Sequence, residues 1–266
     1  MNGIFALCVQ DFKRLLTNAL FWVLTVTLVI IILVVNFALP GEVSARGDFD
    51  GAVSLILPVS ATIEVLGEVT EPIPFNKRIT PVFVCFEALI TGFLLGGALM
   101  LAEKEEETVR ALRIAPMGAI KYLLSKTLLF AVIGTIYASL ITVFCVGVFI
   151  SWLIFIPLAF LGTAIMTLIG LAYTTLFRDM SSWFFSLVIL LCVNMLPIIS
   201  YMSPSYMPLW IKLLPSFPIL FSFEKVMFGG SIDLTAVLYI SAWVVIASAI
   251  AYLMMQKNFL KGAKNL

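Results

Sequence analysis

An all-α integral membrane protein with six transmembrane helices is the fold class this sequence predicts, and three observations carry that expectation. Of its 266 residues, 62% are hydrophobic and 12% charged, with a mean hydropathy of +1.14. Soluble domains carry roughly 45–50% apolar and about 25% charged residues. Such an excess cannot be hidden in a water-soluble core of this size, because a folded surface needs polar cover. Second, apolar runs near the ~20 residues of one crossing recur between charged or proline-rich breaks. Third, no charge occurs from Thr127 to Phe177. As one helix that run would be about 76 Å long at ~1.5 Å per residue. One crossing needs about 30 Å, so the run holds two spans.

Residues 1–18 place Ile4, Phe5, Cys8, Phe12, Leu15 and Leu16 at helical spacing, with Asn2, Gln10, Asp11 and Lys13 on the other face. That pattern predicts an amphipathic helix at the membrane interface. No cleavage-site pattern precedes the first span, 19–39, which is expected to be retained. Pro40-Gly41 ends it, and 41–79 reads as an extramembrane loop. Thr80-Pro81 is a helix-start signal for the second span, 81–102. A charged segment, 103–116, follows. The third and fourth spans are expected at 127–150 and 155–177, with a turn near Ser151, Trp152 and Pro157. Arg178-Asp179 separates them from the fifth, 182–200.

Residues 201–230 mix Pro204, Pro208, Pro215 and Pro218 with Trp210, Phe217, Phe221 and Phe223. The stretch is too apolar for a free loop and too proline-broken for a straight span. It reads as two short re-entrant helices on the outer side. Ser231 or Asp233 caps the sixth span, 234–256. The whole chain, 1–266, is expected to form a single transmembrane domain. Eleven of the 16 Lys and Arg residues fall on the side holding both termini, which the positive-inside rule makes cytoplasmic.

A net charge of +1 leaves no basic footprint for a nucleic-acid partner. Cys8, Cys85, Cys145 and Cys192 form no CxxC pair and read as small buried hydrophobes rather than a disulfide framework or metal site. Histidine is absent, removing the commonest general base. Glu87 lies about two turns into the second span. A carboxylate there is costly and usually faces a bundle interior or a cavity. It is a candidate to line a substrate path, receive a cationic group or pair with Lys77 or Arg78, with Asn36 and Asn194 as weaker companions; the alternative is that the helix end lies lower in the headgroups and Glu87 is merely wet. Gly92-x-x-x-Gly96 permits close helix approach. Those glycines serve either a dimer contact or packing within one subunit.

The charged segment runs from Glu103, Lys104 and Glu105 through Thr108 and Leu112 to Ala115-Pro116, with Tyr122 and Ser125-Lys126 before the long third span. Acids lead and arginines trail, as a helix dipole prefers. This cluster, set in the six-span layout, resembles the permease of type-2 ABC transporters. The similarity extends along essentially the whole chain. It departs from the family pattern at Glu107, where a Gly commonly stands, and at Ala115, where a Thr often does.

The resemblance implies that 103–116 is a cytoplasmic coupling helix. Glu103, Glu105, Thr108, Leu112 and Pro116 would then meet or shape a contact with a separate ABC ATP-binding subunit. Lys126 would anchor the third span at the lipid headgroups. It also implies a second permease copy or homologue as partner, in a bacterial plasma membrane with both termini cytoplasmic. Cofactors are expected to be none in this chain, with ATP and Mg on the partner subunit. Among such permeases the sequence is most similar to bacterial drug exporters of the fluoroquinolone type. A hydrophobic or amphipathic substrate, drug-like or lipid-like, would follow.

No GxxxxGK[ST] phosphate loop occurs, so the chain is not expected to be an enzyme. Glu105-Glu106-x-x-x-Arg110 also matches the EExxxR signature of intramembrane CAAX-type proteases. That chemistry needs histidines on later spans, and there are none. A membrane anchor or assembly subunit without a transport path is the remaining alternative.

Overall fold

The computed structural model describes residues 2–39, 73–105, 119–230 and 232–260. Helix α1 is Asn2–Thr17. Six further helices are long and apolar enough to cross a membrane: α2 (Ala19–Ala38), α3 (Phe75–Lys104), α4 (Ile120–Cys145), α5 (Trp152–Thr174), α6 (Met180–Met202) and α9 (Leu234–Lys257). Between the last two lie the short helices α7 (Leu209–Lys212) and α8 (Ser216–Met227). No strand occurs among the described residues. The chain is a multi-pass membrane protein.

Local chemistry sets most of the helix ends. Asn18 separates α1 from α2, its side chain accepting from Leu20 N at 2.9 Å. The second span starts earlier than Thr80-Pro81, because a helical turn, Phe75–Arg78, precedes it. Thr80 lies inside the run and donates from Oγ1 to the Asn76 carbonyl at 3.2 Å. Pro81 fits because the chain is re-set at Ile79, which C-caps that turn and accepts from Val82 N at 3.0 Å. The charge-free run turns at residues 146–151, where Gly147 takes φ +117°, a conformation open to glycine at no steric cost. Pro157 lies inside α5 rather than in the turn. Asp179 N-caps α6 by accepting from Ser182 N at 2.8 Å. The Ser182 hydroxyl, donating to the same oxygen at 2.6 Å, and this N–H together hold the exposed carboxyl below the usual carboxylate range.

Helix α3 is the centre of the bundle. It packs on α4, α5 and α8, and is the most enclosed of the six spans. Helices α2, α6 and α9 keep broad apolar faces open, with Val26, Ile30, Phe185, Ile189, Leu238 and Val245 exposed. In a chain whose solvent is lipid, those faces need no polar cover.

The glycines of α3 explain the tight centre. A Cβ built on Gly92 would stand 2.7 Å from Thr167 N on α5, and one on Gly170 would stand 2.8 Å from Phe93 Cα. The two backbones therefore touch. Of the two sequence readings, the structure favours packing within one subunit: Gly92 is buried against α5, and Gly96 against α4 and α5, of their own chain. A GxxxG spacing records only that some backbone comes close.

Gly96 differs from Gly92, since a Cβ there would meet nothing nearer than Thr167 Cγ2 at 3.5 Å. Gly92→Ala should cost about 1–3 kcal/mol through forced backbone shifts. Gly96→Ala should change stability by no more than about 0.5 kcal/mol. Unfolding in detergent micelles measures both. Equal losses would show that the crossing is not set at Gly92.

Candidate functional site

The largest concentration of charge in the helical bundle lies at the end that holds α1. Three elements build it. The α1 helix brings Asp11 and Arg14, the last turn of α3 brings Glu103, and the first turns of α4 bring Tyr122 and Lys126. Tyr122 and Lys126 are four residues apart and so share one face of α4. Lys126 is 1% exposed, Glu103 3% and Asp11 4%. The Lys126 ammonium is bonded to Glu103 Oε1 and lies 2.8 Å from Asp11 Oδ1. The Tyr122 hydroxyl donates to Glu103 Oε2 at 2.6 Å, and Arg14 Nη1 stands 3.9 Å from Glu103 Oε1. Beside this cluster, Cys8 Sγ is 3.4 Å from the Ser125 carbonyl.

One cation thus holds two carboxylates from two other elements. Burial pushes the Asp11 carboxyl above its ordinary range, outweighing the Lys126 cation that pulls it down. A carboxyl raised on folding binds its proton more tightly in the packed state. Its ionisation therefore lowers stability as pH rises from the ordinary carboxylate value through the folded one. The cluster is best understood as a junction that fixes α1 against α3 and α4. It is not a large net source of stability, since desolvation offsets much of the attraction.

A second link closes the same end. Lys104 Nζ donates to the carbonyls of Thr174 at 3.1 Å and Phe177 at 3.0 Å. Those carbonyls end α5 and the turn after it, where helical partners run out and a cation suits the dipole.

In sequence, Glu103 stands just before 106–118, which lie outside the described residues. Of the residues expected to contact an ATPase, Thr108, Leu112 and Pro116 lie outside the described residues, as does the Glu105 side chain. Glu103 is described, and its carboxylate turns inward to Lys126 and Tyr122. Any part it takes in such a contact is therefore indirect. The resemblance implied that Lys126 anchors at the lipid headgroups; instead its ammonium is buried. It is drawn inward by two acids that hydropathy alone cannot pair with it.

Deeper in α3, Glu87 is fully buried. Its Oε1 accepts from Thr91 Oγ1 at 3.0 Å, and its Oε2 has no hydrogen-bond partner. No ion pair to Lys77 or Arg78 is present among the described residues. Tyr137 on α4 lies within its electrostatic reach, and its hydroxyl is 2.7 Å from Thr25 Oγ1 on α2. A π-helical turn, Thr91–Leu95, follows at once. Such turns recur at functional sites.

The other two path candidates stand elsewhere. Asn36 is exposed, and its amide donates to the Ile32 carbonyl at 2.9 Å with Cys145 Sγ 3.8 Å away. Asn194 is buried, with Oδ1 unpartnered, and its carbonyl accepts from Ser216 Oγ at 2.6 Å. The structure does not join Glu87, Asn36 and Asn194 into one polar site. Asp11 and Tyr122 were given no role in the sequence, and Lys126 was expected at the headgroups rather than in an ion cluster. The signal for them was slight: an acid within a mostly apolar helix, and a Tyr-x-x-x-Lys spacing.

The profile of the ABC-2 family transporter protein matches residues 75–255, more than half of the chain. The chain belongs to the ABC-2 transporter family. Two curated relatives, each named a fluoroquinolones export permease protein, come from two strains of Mycobacterium tuberculosis. Each is 26% identical over 134 residues, covering 50% of this chain and 56% of the relative. The chain thus spans about half the length of the curated relatives it matches. The matched ABC-2 region begins with α3 and ends within α9, so it includes Glu87, Glu103 and Lys126 but not Asp11.

Removing one partner of a buried ion cluster costs about 3–5 kcal/mol. Lys126→Met should show a loss of that size at neutral pH. The loss should shrink at acidic pH, where the stranded Asp11 carboxyl, already raised by burial, takes up a proton. The triple variant Lys126→Met, Asp11→Asn, Glu103→Gln should recover most of it. Thermal unfolding at both pH values tests this, and a pH-independent loss would show that packing, not charge, is what Lys126 supplies.

Proposed function

We propose that this chain is the membrane-spanning permease subunit of an ATP-driven exporter. Its ABC-2 family membership is the observation that carries the reading. ATP and Mg would bind a separate ATP-binding subunit, and hydrolysis would take place there. The segment 103–116 would act as the coupling helix, with Thr108, Leu112, Pro116 and Glu105 at the partner's surface. The Asp11–Lys126–Glu103 junction supports this assignment because it anchors the base of that segment to two other elements. Displacement of the segment would then move α1, α3 and α4 together. Helix α1 would lie in the cytoplasmic interface, where its exposed Phe5, Val9, Phe12 and Leu16 form one apolar stripe.

The substrate would be a hydrophobic or amphipathic molecule leaving the cytoplasm, in keeping with the names of the two relatives. A second permease copy or homologue would complete the path, meeting this chain through faces other than Gly92 and Gly96. The short helices α7 and α8 would sit re-entrant on the outer side. Glu87 would supply a polar contact within the path. Its free Oε2 supports that role, because a buried carboxyl oxygen without a partner is costly unless some state of the protein satisfies it.

Co-purification from native membranes should bring down one soluble ATP-binding subunit in stoichiometric amount. Thr108→Arg and Leu112→Asp should each lower transport-coupled ATPase stimulation at least about tenfold, the factor set by ~1.4 kcal/mol. Membrane insertion should be unaffected. An intact complex without any ATPase would favour an anchor or assembly subunit instead. Glu87→Gln should keep ATPase binding and change transport alone; unchanged transport would remove Glu87 from the path.

A further inference from the structure

At the end of the bundle opposite α1, α8 and the start of α9 border a cavity of about 420 Å³. That volume falls within the range of small-molecule sites, roughly 300–1,000 Å³. Its walls are mainly apolar. Phe217 and Phe221, one helical turn apart on α8, stack with centroids 4.5 Å apart, and Tyr239 of α9 joins the lining.

The polar groups are few and specific. Ser222 lines the cavity, is 1% exposed, and its hydroxyl has no hydrogen-bond partner. Many helical hydroxyls in this chain instead donate to the carbonyl four residues back, as Thr25, Ser139, Thr167 and Ser241 do. Ser222 does not make that bond. A buried hydroxyl left unpaired is costly, a cost that a ligand oxygen would remove.

Charge at the mouth is unbalanced. Lys225 and Asp233 line the cavity and pair with each other. Lys212 also lines it, and no ion pair to it is present among the described residues. The net charge facing the cavity is therefore one positive. Beside the mouth, α9 exposes Leu234, Val237 and Leu238, an apolar flank suited to lipid.

We infer that this cavity is a binding site for an anionic phospholipid of the leaflet opposite the termini. One acyl chain lies against Phe217, Phe221 and Tyr239. The headgroup meets Lys212, and an ester or glycerol oxygen satisfies Ser222. The inference requires only that the chain sits in a membrane. It does not depend on ATP-driven export.

The test uses the full chain purified in a mild detergent. It is incubated with dioleoyl phosphatidylglycerol or dioleoyl phosphatidylcholine, and bound lipid is counted by native mass spectrometry. One phosphatidylglycerol should be retained per chain, in preference to phosphatidylcholine. Lys212→Gln should weaken its retention about tenfold, the loss of one charge-assisted contact. Ala236→Trp, filling the cavity from its partly exposed α9 wall, should abolish retention. Lys77→Gln removes an exposed charge at the same end outside the cavity and should change nothing. Both cavity variants must elute like the wild type for the comparison to stand. The proposal is overturned if the two lipids bind equally, if Lys77→Gln and Lys212→Gln weaken binding alike, or if Ala236→Trp keeps the lipid.

Discussion

Helices α3 and α5 meet backbone to backbone at Gly92 and Gly170, and the arrangement of the other spans follows from that crossing. Lipid tails are as apolar as leucine, so burying apolar surface between helices gives little driving force inside a bilayer. Close contact and dispersion must supply it, and both fall steeply with distance. Two glycines facing each other bring the axes near enough for Phe93, Met166 and Thr167 to pack around the contact. One turn on, Gly97 leaves a notch into which Trp183 of α6 fits, with its indole N–H donating to Thr174 Oγ1 at 2.9 Å. The glycines thus seat the largest fully buried side chain among the described residues. The same helix that lacks side chains at these points is the one most enclosed by its neighbours.

Polar groups within the bundle follow a second rule. Those near the α1 end are bonded across helices: Lys126 to α1 and α3, Lys104 to the end of α5. Those deeper in the spans bond mostly within their own helix, as Thr142, Thr163 and Thr167 do to carbonyls one turn back. The division has a physical cause. A charge near the membrane edge can be drawn inward by a counter-charge without a full desolvation cost. A hydroxyl in the middle has only the backbone to satisfy it unless a partner helix offers an acceptor. Glu87, Asn194 and Ser222 break the rule, each leaving an oxygen unpaired.

The number of spans was legible because it rests on length and hydropathy, which need no knowledge of neighbours. The 51-residue charge-free run had to be folded back, and Gly147 marks where. The proline-broken stretch likewise announced short helices, now seen as α7 and α8. The start of the third span was less legible. Ending a span at its last charge places the boundary after Lys126, whereas the helix runs back to Ala119, since Lys126 is neutralised from inside. Asp11 was hidden for the same reason: a helical wheel shows which residues share a face, not which face meets a counter-charge. Gly92 and Gly96 fit two contexts equally well in sequence, and only the position of α5 decides between them. The π-helical turns leave no compositional trace.

These features make α3 a mechanical connection as well as a core element. Sixteen residues separate Glu87 from Glu103, about 24 Å along a helix at ~1.5 Å per residue. At one end, Glu103 and Lys104 tie α3 to α1, α4 and the end of α5. Near the other, Glu87 lies fully buried, with Tyr137 of α4 within its electrostatic reach. Between them stands the Gly92–Gly170 crossing, where the backbones have no slack. Held this closely, the helix would, in the exporter reading, turn a push at its end into rotation about the crossing. The π-helical turn Thr91–Leu95 falls at that same point and is the one break in its regular hydrogen-bond ladder between Thr80 and Glu105. In the exporter reading, motion entering at the coupling segment would be delivered to the helix carrying Glu87. The irregular turn is the place where the two halves of α3 could respond differently. Within such a mechanism, the unsatisfied oxygen of Glu87 would mark the end of the lever that meets the substrate.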